Sequence, residues 1–386
     1  MNTTTIYFDN AATTFPKPPD VISATLECMQ SYCGNPGRGS HTLAKAAAER
    51  VFMTREALGE FFGAPAENVI FTLNTTYALN MAIKGVMCTG GHMLISNMEH
   101  NSVLRPVAGL AQKRKISYSV FDGYGKDGRI TPKEILSDIL SKLRRDTKML
   151  VSIHSSNVCS HTLPIREIGK LCRRHGILFC VDAAQSAGIL PINMEEDHVD
   201  ILCMPAHKGL LAPQGAGILI LRKGLSLETL IEGGNGINSL SADMGRESPE
   251  RYEGGTICTP AIAGLYEGLN FLQRFGLDSI AEHHRSLWNT AHSLLSSVPS
   301  VTVHDGTPGS VLLFSIAGID ADRAGEMLSH MGFCLRTGYH CASLAHKTLS
   351  TPEGGAIRVG FGIFNTEEET RALCDAVSKI AFSGGF

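Results

Sequence analysis

Residues 177–209 read ILFCVDAAQSAGILPINMEEDHVDILCMPAHKG. The apolar runs ILFCV (177–181) and DILCM (200–204) are too short for helices and read as buried strands. The first ends in Asp182, followed by Ala183, Ala184 and Gln185; the second leads into Pro205, Ala206, His207, Lys208 and Gly209. If the strands are parallel neighbours, carboxylate and lysine share the carboxyl edge of the sheet, where ligands of α/β proteins bind. An anion facing a buried lysine suits a pyridinium aldehyde, since it keeps the ring nitrogen protonated while the amine bonds the aldehyde. Taken alone, the two residues fit a structural aspartate and a surface lysine at least as well.

Outward from this stretch the same alternation continues. NVIFT (68–72), HMLIS (92–96), ISYSVF (116–121), KMLVSI (148–153) and AGILIL (216–221) complete a set of seven short apolar runs. Helical patterns over 76–86, 102–114, 131–144 and 164–175 lie between them, the last opening with Pro164 and closing before Gly176. This βαβ pattern predicts an α/β protein with a mostly parallel seven-stranded sheet and helices on both faces. From about residue 276 the pattern changes to a long helix (279–297), VLLFSI (311–316), a helix from Asp320 to about 331, AIRVGF (356–361) and a final helix after Asn365. The expected organisation is a large domain over 15–265 and a smaller α+β domain formed by 1–14 with 266–386. Pro16, Pro18 and Pro19 predict an extended segment before a helix near 20–32.

Composition narrows the function classes. With 37 acidic against 34 basic residues the formal charge is −3, and no basic block suited to a nucleic-acid backbone is present. No apolar run approaches the length of a membrane span and the first residues lack a secretion-signal pattern, so a cytoplasmic protein is expected. The eleven cysteines form no CxxC pair, against a zinc ribbon or disulfide framework, and most are expected to be reduced and buried, Cys180 and Cys203 among them.

Ten segments, in order, resemble the class V, fold-type I enzymes that use pyridoxal 5'-phosphate (PLP), and within them the cysteine desulfurase and selenocysteine lyase family. They are YFDNAATTFPKP (7–18), GNPGRGSHTLA (34–44), NTTYALNMAI (74–83), MEHNSVLRP (98–106), HSSNVCSHTLPI (154–165), VDAAQSAG (181–188), AHKGLLAPQGAGIL (206–219), YEGGTICTP (252–260), RTGYHCA (336–342) and IRVGFGIFNT (357–366). The resemblance implies that Lys208 bonds the cofactor aldehyde, Asp182 pairs with the ring nitrogen, Gln185 meets the phenolic oxygen and His100 stacks on the ring. It places Thr76, with the backbone of Thr75, at the phosphate on a helix N-terminus, with His207 as a further phosphate contact. Thr256 matches the residue that reaches the phosphate of a partner subunit, which implies a homodimer.

In the C-terminal lobe, Cys341 of RTGYHCA occupies the position of the family's nucleophile, and the short stretch from Cys341 to Arg358 resembles the SufS-like branch. A thiolate there would take the sulfur of L-cysteine, or the selenium of L-selenocysteine, and hand it to an acceptor. Arg358 resembles the arginine that clamps the substrate carboxylate, joined by Asn157, while Arg336 is expected to organise substrate or loop. His340, Cys341 and His346 are also of zinc-ligand type, but their spacing lacks a second paired element, so no metal is expected. Two departures stand out. Pro205 replaces the family's phosphate-binding serine and has neither hydroxyl nor N–H, and Tyr77 follows Thr76 where glutamate is common. The expected function is that of a cysteine desulfurase passing a Cys341 persulfide to a sulfur-acceptor protein or other acceptor. Selenocysteine lyase, another class V aminotransferase or lyase, and a fold used only for assembly are the alternatives.

Overall fold

The computed structural model describes residues 5–383 apart from 38, 237, 238 and 305, so Arg38 of the 34–44 segment and the extreme termini lie outside the described residues. Its centre is a seven-stranded sheet in the order Val69–Thr72, Gly217–Leu221, Ile201–Pro205, Leu178–Asp182, Thr147–Ile153, His92–Ser96, Ser117–Phe121. All neighbours are parallel except Gly217–Leu221, which runs antiparallel to both flanking strands. The seven expected strands are therefore present, each within a residue or so of its expected limits. Burial explains their composition: six of them have most or all side chains buried, as continuous apolar runs require when helices cover both faces.

Helices Thr75–Val86, Asn101–Gln112, Pro132–Lys142 and Ile165–His175 follow the expected patterns closely. Ile165–His175 ends on Gly176 at φ 66°, a left-handed cap that a residue without Cβ adopts freely. The expected helix near 20–32 is a Pro19–Glu27 α-helix continued by a π-helical turn, Cys28–Tyr32. Two long helices, Thr42–Phe62 and Thr259–Phe275, pack on each other and complete the large unit.

The C-terminal lobe holds a four-stranded antiparallel sheet in the order Arg336–Gly338, Ala356–Gly360, Val311–Ile316, Val301–His304. Helices Leu277–Ser296 and Glu367–Ser383 pack together beside it. Its apolar core includes Phe8, because Ile6–Tyr7 pairs in parallel with Phe333–Cys334. That pairing supports assigning the N-terminal segment to the smaller unit, and we propose 1–14 with 266–386 as its extent. Six cysteines are buried, Cys180 and Cys203 included, and all eleven are free. Among the described residues no helix is long and apolar enough to cross a membrane.

Candidate active site

The neighbouring strands Leu178–Asp182 and Ile201–Pro205 are parallel, with Asp182 paired to Cys203, so Asp182 and the segment leading to Lys208 leave the sheet at one edge. Asp182 is 2% exposed. Burial pushes its carboxyl up to about 6, against the pull of the Ala184 N–H at 2.9 Å and the charge of Lys208. Burial lowers Lys208 to about 8, with Arg358 adding to the effect and Asp182 opposing it. Gln185 is buried beside them and donates from Nε2 to the Ala11 carbonyl at 2.9 Å.

His100 caps the helix Asn101–Gln112, its Nδ1 accepting from the Ser102 N–H at 3.0 Å. Burial first, then Lys208, Arg358 and Arg105, brings it down to about 4, so the ring is neutral at physiological pH and carries its proton on Nε2. Ser102 Oγ lies 2.7 Å from Thr76 Oγ1, which ties the start of this helix to the start of Thr75–Val86. There Asn74 accepts from the Tyr77 N–H at 3.0 Å. Among the described residues no acceptor is bonded to the N–H of Thr75 or Thr76, so a helix N-terminus with free donors faces the site.

Among the described residues eleven buried side-chain polar atoms lack partners, and four of them are Thr75 Oγ1, His207 Nδ1, Asn157 Oδ1 and Arg358 Nε. Unsatisfied groups of this kind are rare in a protein interior, and these four belong to residues singled out from the sequence, while the other seven are spread over Tyr32, Glu99, His154, Ser186, Ser248, His283 and His284. Pro205, at the end of its strand opposite Gly217, offers no donor.

The C-terminal lobe contributes the opposite wall. Arg358 is 3% exposed; its Nη1 donates to the Asn157 carbonyl at 3.1 Å and its Nη2 to Asp9 Oδ1 at 3.0 Å. Arg336, half exposed, bonds the other Asp9 oxygen from Nε at 3.2 Å. Asn157 Nδ2 donates to the His340 carbonyl at 2.8 Å, joining the large unit to the cysteine loop. Cys341 is exposed, at φ 54°, after His340 at φ 49°. Two successive non-glycine residues in the left-handed region need support from their surroundings. A buried chain supplies it: His340 Nε2 lies 3.2 Å from the Arg336 carbonyl, His340 Nδ1 lies 3.0 Å from His346 Nε2, and His346 Nδ1 lies 2.9 Å from Thr351 Oγ1. A carbonyl only accepts, so the protons run one way, from Thr351 through His346 and His340 to Arg336. Burial lowers both imidazoles, to about 3 for His340 and about 4 for His346, which keeps them neutral.

Among the described residues no group of three His, Cys, Asp or Glu side chains could hold a metal ion. Thr256 is exposed, with Asn35 Nδ2 at 3.4 Å as its partner, and lines a separate pocket with Thr72 and Tyr77. Two residues of the site were not singled out from the sequence. Asp9 joins both arginines. Glu99, fully buried next to His100, accepts from the Ile153 N–H at 2.7 Å and from Ser96 Oγ at 2.5 Å; burial raises it to about 8. Both stand inside the quoted segments, YFDN and MEHN, which was the available signal.

Comparison with known proteins identifies the family. The Aminotransferase class-V family model matches residues 6–373. The chain is 29% identical over 389 residues to a probable cysteine desulfurase of Methanothermobacter thermautotrophicus, covering 98% of this chain and 95% of that one. It is 30% identical over 384 residues to another of Halalkalibacterium halodurans, with 97% and 92% covered. The solved structure of a cysteine desulfurase from Thermococcus onnurineus superposes with a TM-score of 0.89 at 29% identity, over 98% of this chain and 95% of that one. A family match that begins in the first strand and ends inside the last helix leaves no separate piece of the described chain to explain: the protein is a member of the class-V aminotransferase family.

Proposed function

We propose that the protein is a PLP-dependent cysteine desulfurase, converting L-cysteine to L-alanine while Cys341 takes the sulfur as a persulfide. The observation that carries this reading is the buried Lys208 and Asp182 pair at one sheet edge with Arg358 acting on the lysine, and unpartnered buried atoms on Thr75, His207, Asn157 and Arg358 support it. Thr75, Thr76 and His207 would hold the phosphate, His100 would cover the ring face, and Gln185 would meet the phenolic oxygen. When bound, the cofactor supplies an aldehyde for amines and a protonated ring that accepts the electron pair released at the amino acid's Cα.

The chain's own residues do the rest. Asp182, as an anion, holds a proton on the ring nitrogen. Arg358, with Arg336 organised through Asp9, orients the α-carboxylate, and Asn157 Oδ1 accepts an N–H or O–H of the bound partner. Lys208 Nζ, neutral over a larger share of the pH range than an ordinary lysine, carries the Cα proton. Cys341, on an exposed loop braced by His340 and His346, attacks Sγ as a thiolate: a sulfur–sulfur bond forms as the carbon–sulfur bond breaks. Thr256 would reach the phosphate of a partner subunit, which makes the working form a homodimer.

The test is to incubate the PLP-loaded protein with L-cysteine and measure alanine together with protein-bound persulfide by mass spectrometry. We expect one persulfide per subunit in the first turnover, and its loss in Cys341→Ser, which keeps the cofactor's visible absorbance. Full desulfuration of L-cysteine by Cys341→Ser would overturn the assignment. Activity of that variant on L-selenocysteine alone would instead favour a selenocysteine lyase.

A further inference from the structure

The helices Thr75–Val86 and Asn101–Gln112 pack side by side, and a cleft of about 500 Å³ opens along them and reaches Cys341. Its lining runs from Thr76 and His100, at the end where the cofactor would sit, to three cations, Lys84, Arg105 and Lys113, and includes no aspartate or glutamate. Lys84 stands in the last turn of its helix and Lys113 caps the other, so both complement the negative helix end. Arg105 has no such reason. It is the fifth residue of Asn101–Gln112, in the half where a cation opposes the macrodipole, and its exposed guanidinium makes no hydrogen bond or ion pair with any described residue. The cofactor phosphate does not account for Lys84 either, since it lies nine residues beyond Thr75, roughly 13 Å along the helix axis.

We propose that this cleft is the binding site of the sulfur acceptor, and that the acceptor is a small thiol bearing carboxylate groups. The proposal rests on the desulfurase reading above. Its volume can hold a small molecule, and three unopposed cations select for anions. In the transfer step the acceptor thiolate attacks the outer sulfur of the Cys341 persulfide. A sulfur–sulfur bond forms on the acceptor, the one to Cys341 breaks, and its electron pair remains on the Cys341 thiolate. The sulfane sulfur moves without change of oxidation level, so no external oxidant or reductant is involved.

The experiment preloads the PLP enzyme with L-cysteine, removes the excess, and follows decay of the persulfide with four thiols at equal thiolate concentration. These are cysteamine, 2-mercaptoethanol, 3-mercaptopropionate and mercaptosuccinate. The expected order of rates rises with negative charge, mercaptosuccinate exceeding 2-mercaptoethanol by at least roughly fivefold, saturably and less so at high salt. Arg105→Gln should collapse this ratio and Arg105→Glu should reverse it in favour of cysteamine. Because the readout is a ratio between thiols, a general loss of activity does not imitate the result. Equal rates for neutral and anionic thiols, or a ratio unchanged in Arg105→Glu, would overturn the proposal while leaving the desulfurase reading intact. Failure to form any persulfide would overturn both.

Discussion

Lys208 sits among two carboxyl groups, Asp182 and Asp9, and two guanidinium groups, Arg358 and Arg336, but loss of water is the largest effect and brings its amine down to about 8. An unperturbed lysine titrates near 10.4, so at neutral pH the buried amine is neutral far more often than a surface one. Only the neutral amine bonds an aldehyde. The rate at which apoprotein takes up PLP, followed by stopped-flow absorbance, should rise with pH through a midpoint near 8 and then level off; a midpoint above 10 would mean that the pocket does not tune this group. The linked stability has a definite sign: with the folded value below the unfolded one, the apoprotein gains stability as pH rises from about 8 to 10.5 and is insensitive to this group below 8. Lys208 and Asp182 were legible in the sequence because each follows a short apolar run, and strand ends define where ligands bind. Asp9 was not, since its partners Arg336 and Arg358 stand 327 and 349 residues away in the chain. No local pattern announces a contact made across that distance.

Elements positioned these residues with little ambiguity where the local signals were strong. Four to seven apolar residues between turn signals define the strands of the central sheet, and caps such as the Thr131 and Glu134 capping box fix the helix starts. The direction of Gly217–Leu221 was less apparent, yet physics required it: residues 206–216 are too few for the crossover that joins parallel strands. The helices Thr42–Phe62 and Thr259–Phe275 were not delimited from sequence, because they pack on each other and their apolar faces are spread among alanines and glycines. The antiparallel strand brings Gly217 against the turn before the helix Thr75–Val86. A Cβ at Gly217 would lie 2.4 Å from the Asn74 carbonyl carbon and 2.6 Å from Thr72 Oγ1. Since Asn74 caps Thr75–Val86, Gly217→Ala must push the cap outward and misdirect the free N–H groups of Thr75 and Thr76. The expected result is a loss of about 1–3 kcal/mol of stability, read as a lower Tm, together with PLP affinity weaker by roughly tenfold or more. Unchanged affinity in an absorbance titration would show that the helix start does not hold the phosphate.

At the scale of the whole molecule, the site is assembled from both lobes: Lys208, Asp182 and His100 from the central sheet and its helices, and Arg336, Cys341 and Arg358 from the four-stranded sheet and its loop. The face beside the N-terminal helix has no such internal partner among the described residues. Ile22, Leu26 and Met29 are 55%, 51% and 63% exposed at spacings of four and three residues, a stripe along Pro19–Glu27 and the π-helical turn after it. That turn packs on Thr42–Phe62, which adds Leu43 and Phe52, 49% and 55% exposed. A row of large apolar side chains at helical spacing is costly in water and characteristic of an interface. We propose that a second copy covers it, the arrangement that would also bring exposed Thr256 to a neighbour's phosphate. Sedimentation should then give twice 41.4 kDa for the native protein, and Met29→Glu with Phe52→Glu should give 41.4 kDa. If Thr256 serves the partner's cofactor, the monomeric variant should also bind PLP more weakly than native protein, although neither substitution lies near Lys208 in the chain. Native protein that sediments as a monomer at micromolar concentration would sink the homodimer, and Thr256 would then be an ordinary loop residue.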